Sequence, residues 1–324
     1  MSRIAFLYPG QGAQEVGMAE DFYEKSIEAK AVFDSASDIL DFDVREICFQ
    51  ENELLDKTEY TQAAMVTACL AITREIEKRG LYPEMTAGLS LGEYCALAAA
   101  GSISDMDAVR TVRARGIFME HAAPEGTGAM AAVLGMDGEA VERIVHDLEG
   151  VFIANYNCPG QIVITGEKEA VNQSAAVLKE AGARRVLPLK VSGPFHSPMM
   201  EPAGKKLEEF LEKIPVKEPV IPYVTNVTAK VVESGESIKD LLVKQVSSSV
   251  RWEQGIRTMI AQGIDTFVEI GPGKTLSGFM KKTDKNVKMY RISTWEEADA
   301  VCGELLKQQK VGTPERHGSS SENM

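Results

Sequence analysis

The pentapeptide Gly88-Leu89-Ser90-Leu91-Gly92 constrains this chain more than any other segment. It closes a short apolar run at 85–89 and opens an alanine-rich helical stretch at 93–100. A serine set between two glycines at a strand-to-helix turn is a nucleophile elbow. The glycines admit the tight backbone that lifts the hydroxyl clear of a sheet. The helix that follows offers unpaired N–H groups and a partial positive charge to an oxyanion formed there. With 27 glycines in the chain the bare pattern can arise by chance, so its surroundings must carry the argument.

Those surroundings alternate. A first strand at 2–8 enters the loop Pro9-Gly10-Gln11-Gly12-Ala13-Gln14, and helical patterns follow at 18–40 and 60–79. A short buried strand at 85–89 runs into Ser90, and a helix N-capped by Ser104 runs to His121. Strands alternating with helices predict a mainly parallel α/β core like that of the α/β-hydrolases. Gly126-Thr127-Gly128 breaks the rhythm. After it come a strand (129–134), a helix (138–148), two strands around a turn (151–154, 161–165), a helix (167–181) and a strand (185–191). That βαββαβ order predicts a ferredoxin-like subdomain inserted in the larger fold. The chain rejoins the core through Ser192-Gly193-Pro194-Phe195-His196, with further strands at 221–224 and 266–270. The expected division is a large core of 1–125 and 192–310, a small subdomain of 126–191, and a polar, disordered tail of 311–324.

Composition excludes several classes. A net charge of -13 argues against general nucleic-acid binding, which needs clustered Lys and Arg on phosphates. An acidic partner would therefore need a local basic patch. No apolar run reaches the roughly 18–20 residues that span a bilayer, so no membrane association is expected. The N-terminus lacks the apolar core and cleavage site of a signal peptide, which predicts a cytoplasmic protein. The five cysteines are scattered and form no CxxC, so neither a disulfide framework nor a metal site is expected.

A nucleophilic serine needs a base, and histidine is the usual one near neutral pH. Of four histidines, His317 lies in the tail, and His121 and His146 fall in amphipathic helices as surface or packing residues. His196 sits in an irregular loop between Gly193-Pro194 and Pro198, where the subdomain hands back to the core and clefts form. The order Ser90 then His196, with no clear acid between them, departs from the serine, acid, histidine order of an α/β-hydrolase. A backbone carbonyl could orient the imidazole instead, as a carboxylate does. Two other motifs fail. Gly10-Gln11-Gly12 has Glu15 in the third glycine's place of a dinucleotide fingerprint, and Gly273-Lys274-Thr275 has Val268 where a P-loop has its first glycine.

The chain resembles the malonyl-CoA:acyl carrier protein transacylases, the acyltransferase family of bacterial fatty-acid synthesis. The resemblance rests on an ordered set of motifs: the Pro9–Gln14 loop; Tyr60-Thr61-Gln62; Gly88-Leu89-Ser90-Leu91-Gly92-Glu93-Tyr94; Arg115-Gly116-Ile117-Phe118-Met119; Asn155-Tyr156-Asn157-Cys158-Pro159-Gly160-Gln161; Gly193-Pro194-Phe195-His196-Ser197; and Glu269-Ile270-Gly271-Pro272-Gly273. It implies that Ser90 is the nucleophile and His196 its base, with the backbone N–H groups of Gln11 and Leu91 as the oxyanion hole. It implies that the main-chain carbonyl of Gln245 holds the histidine, and that Arg115 clamps the malonyl carboxylate. Planar guanidinium meets carboxylate through two parallel hydrogen bonds, which suits that role. Arg110 and Arg113 share its helix, and spacing does not choose among the three. Gln62, Asn157 and Phe195 are implied substrate-binding residues. Phe195 would narrow the acyl pocket, although simple packing explains it equally well. Many members carry histidine just before the nucleophile, where this chain has Leu89.

The implied reaction is a ping-pong transfer of malonyl from malonyl-CoA, through malonyl-Ser90, to the phosphopantetheine thiol of acyl carrier protein. No cofactor beyond the coenzyme A thioester substrate is implied, and a monomer is expected. The carrier is acidic in this family; Arg184, Arg185 and Lys190 are candidates to meet it, or else simply solvated charges. Rival readings are a discrete acyltransferase of polyketide synthesis and a thioester hydrolase using the same Ser/His pair.

Overall fold

Five consecutive buried residues, Ile4–Tyr8, form strand β1, and such an unbroken apolar run is what a strand covered on both faces requires. The computed structural model describes residues 2–124, 126–191, 193–232 and 238–311. In it β1 lies at the centre of a six-stranded sheet. The other strands are β2 (Met85–Gly88), β7 (Tyr223–Val224), β8 (Val231–Val232), β9 (Thr266–Ile270) and β10 (Lys288–Ile292), in the order β10-β9-β1-β2-β7-β8. Every pairing is parallel except β7 with β8. The crossover from β1 runs to β2 on one side while β9 lies on the other. A crevice therefore opens beyond the carboxyl ends of β1 and β2, where open α/β sheets place ligands. The long helix Thr58–Lys78 and the helix Asp105–Glu120 pack together beside the sheet.

A second sheet has the order β4-β5-β3-β6, built from β3 (Gly128–Leu134), β4 (Val151–Cys158), β5 (Gln161–Glu167) and β6 (Arg185–Pro188). All its pairings are antiparallel, and helices Gly138–His146 and Lys168–Glu180 cover one face, which is the ferredoxin-like arrangement. Its other face looks toward the large core. The seam is stitched by backbone: the Val250 N–H donates to Ala154 O at 2.8 Å, and the Tyr156 N–H to Val250 O at 2.9 Å.

Several expected boundaries shift. The pattern at 18–40 is two helices, Glu20–Lys25 and Ile27–Ile39, because Ser26 turns extended and its hydroxyl caps the Ala29 N–H. β4 continues past 154 to Cys158, with register shifts near Asn155 and Cys158, so only Pro159 and Gly160 turn; Gly160 takes φ 74°. β6 ends at Pro188 rather than 191, with one further bond from the Leu189 N–H to Met130 O at 2.9 Å. Val311 closes the helix Trp295–Val311 instead of opening the tail. The rest of that tail, 312–324, with His317, lies outside the described residues. Among the described residues no helix is long and apolar enough to cross a membrane, and the five cysteines are buried free thiols.

Candidate active site

The elbow is real, and its glycines have steric reasons. A Cβ on Gly88 would fall 1.9 Å from the Gly92 carbonyl, and one on Gly92 would fall 2.3 Å from Tyr8 O. Ser90 itself takes φ 51°, the left-handed conformation that side chains rarely adopt. What holds it there is Asn226, on the turn between β7 and β8. Its Oδ1 accepts from the Ser90 N–H at 2.6 Å, and its Nδ2 donates to Gly88 O at 2.7 Å. Strain of this kind persists only where the surroundings over-determine it.

His196 comes to Ser90 across 106 residues, with its Nε2 at 2.8 Å from Ser90 Oγ. Its Nδ1 lies 2.8 Å from the main-chain oxygen of Gln245, in helix Ile238–Ser247. A carbonyl can only accept, so Nδ1 carries the proton and Nε2 is left as the acceptor for the serine hydroxyl. Burial, and secondarily the charge of Arg115, push the imidazole down to about 4 from its ordinary 6.5, so it is neutral and able to take a proton. His196 also has φ 61°. The other described histidines are elsewhere: His121 caps the end of its helix and His146 ends another, both exposed.

Arg115 is 1% exposed, and here structure separates three arginines that share a helix. Arg110 reaches solvent, and Arg113 pairs with Asp41 and Glu59. Arg115 turns inward. Its Nη1 donates to Gln62 Oε1 at 2.8 Å, and its Nη2 to Gln245 Oε1 at 3.0 Å and Ser90 Oγ at 3.2 Å. Among the described residues its Nε has no partner and no carboxylate lies within salt-bridge distance. A buried guanidinium facing only neutral oxygens is short of an anion, and burial holds it below its ordinary value.

A cavity of about 750 Å³ opens onto these groups. Ser90, His196, Arg115, Gln62, Gln11 and Leu91 line it, as do Asn157, Phe195 and Lys190. The Gln11 and Leu91 N–H groups find no acceptor among the described residues. Gln11 is held through Nε2 to Thr58 Oγ1 at 3.1 Å. Asn157 Oδ1 is buried without a partner among the described residues. Phe195 both lines the cavity and belongs to the main hydrophobic core, so its two readings describe one position. Leu89 also lines the cavity and lies over Gly10, where a Cβ would meet Leu89 Cδ2 and Leu89 O at 2.7 Å.

A match to the acyl transferase domain model spans residues 5–311. This chain belongs to the acyl transferase domain family. Within that family it is 46% identical, over 95% of its length and 99% of the relative's, to a malonyl CoA-acyl carrier protein transacylase of Bacillus subtilis (strain 168). The crystal structure of malonyl CoA-acyl carrier protein transacylase from Clostridium perfringens superimposes with a TM-score of 0.92 at 41% identity, covering 96% of this chain and 99% of that one. A malonyl-transacylase solved in complex with its type II PKS acyl-carrier protein gives a TM-score of 0.91 at 39% identity, covering 94% and 100%.

Not every expected residue of this acyltransferase joins the cavity. Lys190 does, whereas Arg184 and Arg185 are exposed at the far end of β6. Arg185 pairs with Leu134 while Leu189 bonds to Met130, four residues along β3, or about 13 Å at the usual strand rise. Two residues that sequence reading gave no role stand beside the site. One is Asn226. The other is Glu93, fully buried, whose Oε2 accepts from Gln245 Nε2 at 2.6 Å. A lone carboxylate in the otherwise apolar helix Gly92–Ala99 was the available signal for it. For Asn226 no signal existed, because its partners lie more than 130 residues away.

Proposed function

We propose that this acyltransferase carries a malonyl group from malonyl-CoA to the phosphopantetheine thiol of acyl carrier protein, in fatty-acid synthesis, through a malonyl-Ser90 intermediate. The observation that carries this reading is the Arg115 guanidinium, buried with no carboxylate in salt-bridge distance among the described residues and 3.2 Å from the Ser90 hydroxyl. A thioester whose acyl group ends in a carboxylate supplies the missing anion as it presents its carbonyl to the serine.

His196 Nε2 takes the Ser90 proton as Oγ attacks the thioester carbonyl. The N–H groups of Gln11 and Leu91 receive the oxyanion, where one such donor typically supplies roughly 3–4 kcal/mol. Collapse breaks the C–S bond, and His196 returns its proton to the departing coenzyme A thiolate. The carrier thiol then gives its proton to His196, attacks malonyl-Ser90, and Ser90 recovers the proton as it leaves. Gln62 steadies Arg115, Asn157 Oδ1 offers an acceptor to an amide N–H of the pantetheine arm, and Phe195 bounds the acyl pocket. The scheme assigns every role to side chains and amides of one chain, with no resident cofactor, so a monomer suffices. Arg184, Arg185 and Lys190 are the surface proposed to meet the acidic carrier, and a cytoplasmic setting belongs to this reading.

Intact mass after mixing with malonyl-CoA and no acceptor tests it. A malonyl adduct on the wild type that is absent from Ser90→Ala is the expected result. Free coenzyme A accumulating without an adduct would overturn transfer in favour of hydrolysis.

A further inference from the structure

We propose that Glu93 is a positioning residue for acyl transfer, acting on Ser90, His196 and Arg115 through the side chains of Gln245 and Asn226. The inference rests on the functional reading above and extends it to a residue that touches none of the reacting atoms.

Glu93 and Arg115 are both fully buried at this site, and they do not touch. The Gln245 amide lies between them with its dipole aligned to both charges. Its Oε1 accepts from Arg115 Nη2 at 3.0 Å, and its Nε2 donates to Glu93 Oε2 at 2.6 Å. The same Nε2 lies 2.9 Å from Ser90 O, so the side chain also grips the elbow. An amide flipped end for end would set oxygen against carboxylate and N–H against guanidinium, so the two charges fix its orientation. That matters because the main-chain oxygen of this residue is the acceptor that orients His196. Glu93 also accepts from the Asn226 N–H, at 3.4 Å to each carboxyl oxygen, while Asn226 holds Ser90 N and Gly88 O. One carboxylate thus backs both residues that pin the strained serine and the carbonyl that sets the histidine. Burial raises the Glu93 carboxyl to about 7, against the hydrogen bonds it accepts, so above neutral pH its negative charge partly balances Arg115 while no acid occupies the cavity.

The other groups facing Glu93 are the buried Thr225 hydroxyl, together with Tyr94, its neighbour on the same helix, and Tyr223 on β7, both buried and un-ionised at neutral pH. Arg115 is therefore the one cation it meets among the groups that act on it.

Two separable consequences follow from Glu93→Gln. Slack in Gln245 and Asn226 should lower kcat for malonyl-CoA and acetyl-CoA alike, by about tenfold or more. At about pH 8, where the Glu93 carboxyl is ionised, loss of the competing negative charge should leave Arg115 more available, so KM should fall severalfold for malonyl-CoA and stay put for acetyl-CoA. A purely structural role would not split KM from kcat according to the acyl group. The experiment is single-turnover acylation of Ser90 by each thioester, followed by intact mass, with the melting temperature recorded. If the wild type forms no malonyl-enzyme, the functional reading fails first. If it does, and Glu93→Gln matches it in both parameters, or shifts both thioesters equally in KM, this inference alone is overturned. Glu93→Asp keeps the charge but withdraws it by one methylene, and serves if Glu93→Gln does not fold. It should leave the malonyl-CoA KM unchanged and lower kcat about tenfold, and wild-type kcat would overturn the proposal.

Discussion

Replacing Arg115 by methionine removes charge while keeping an unbranched side chain of similar reach. In the free protein the guanidinium donates three hydrogen bonds, to Gln62, Gln245 and Ser90, and leaves Nε unpaired. Hydrogen bonds to a charged group contribute roughly 1.5–3 kcal/mol each. Against them stands the desolvation of a cation with no anion beside it, several kcal/mol in its own right. The two sums are of one size, so Arg115→Met should move unfolding stability by no more than about 2 kcal/mol. Catalysis should respond very differently. Truncating one partner of a buried, hydrogen-bonded charge pair costs about 2–5 kcal/mol. At about 1.4 kcal/mol per factor of ten, the kcat/KM for malonyl-CoA should fall roughly 30- to 5,000-fold. Acetyl-CoA has no carboxylate to lose and should change less than about tenfold, through the single contact to Ser90. Quenched-flow acylation read by intact mass gives both values, and urea unfolding gives the stability. Equal losses for the two thioesters would refute the assignment of Arg115 to the acyl carboxylate.

Because burial pushes His196 down to about 4, its neutral, proton-accepting form should persist well below pH 6.5, and the acid limb of Ser90 acylation should lie nearer 4 than 6.5. The sign for stability follows: the folded state binds the proton less readily than the unfolded one. His196 therefore contributes stability above its unfolded value of 6.5 that is lost as pH falls toward 4, a slope that His196→Gln should remove in denaturation at several pH values. Gly88→Ala places a Cβ 1.9 Å from the Gly92 carbonyl, so it should cost at least about 3 kcal/mol and abolish acylation. Near-wild-type unfolding and activity for that variant would mean the elbow is not as tight as described. Reversing Arg184 and Arg185 to Glu should raise the carrier KM roughly three- to tenfold and leave acylation by malonyl-CoA unchanged, since neither lines the cavity. A matching loss in the acylation half-reaction would remove them from the carrier surface.

Local pattern settled what is locally determined. β9 was legible to the residue, Ser104 caps its helix as predicted, and Gly88 and Gly92 flank a serine in the conformation that an elbow demands. The βαββαβ order predicted the antiparallel second sheet, because each of those elements carries its own periodicity. The motif order pointed to Ser90, His196, Gln11 and Arg115 as one set. What the chain could not disclose along its length is anything set by pairing at a distance. Arg110, Arg113 and Arg115 are equivalent by spacing, and only the helix's packing decides that the third turns inward. Lys190 and Arg184 are near neighbours in sequence, yet strand geometry puts one at the cavity and the other beyond the opposite end of β6. Asn226 and Glu93 acquire meaning only when β7 and the helix carrying Gln245 are brought against the elbow. There a buried amide and a buried carboxylate must each satisfy their hydrogen bonds, and the partners that do so are supplied by the tertiary fold alone.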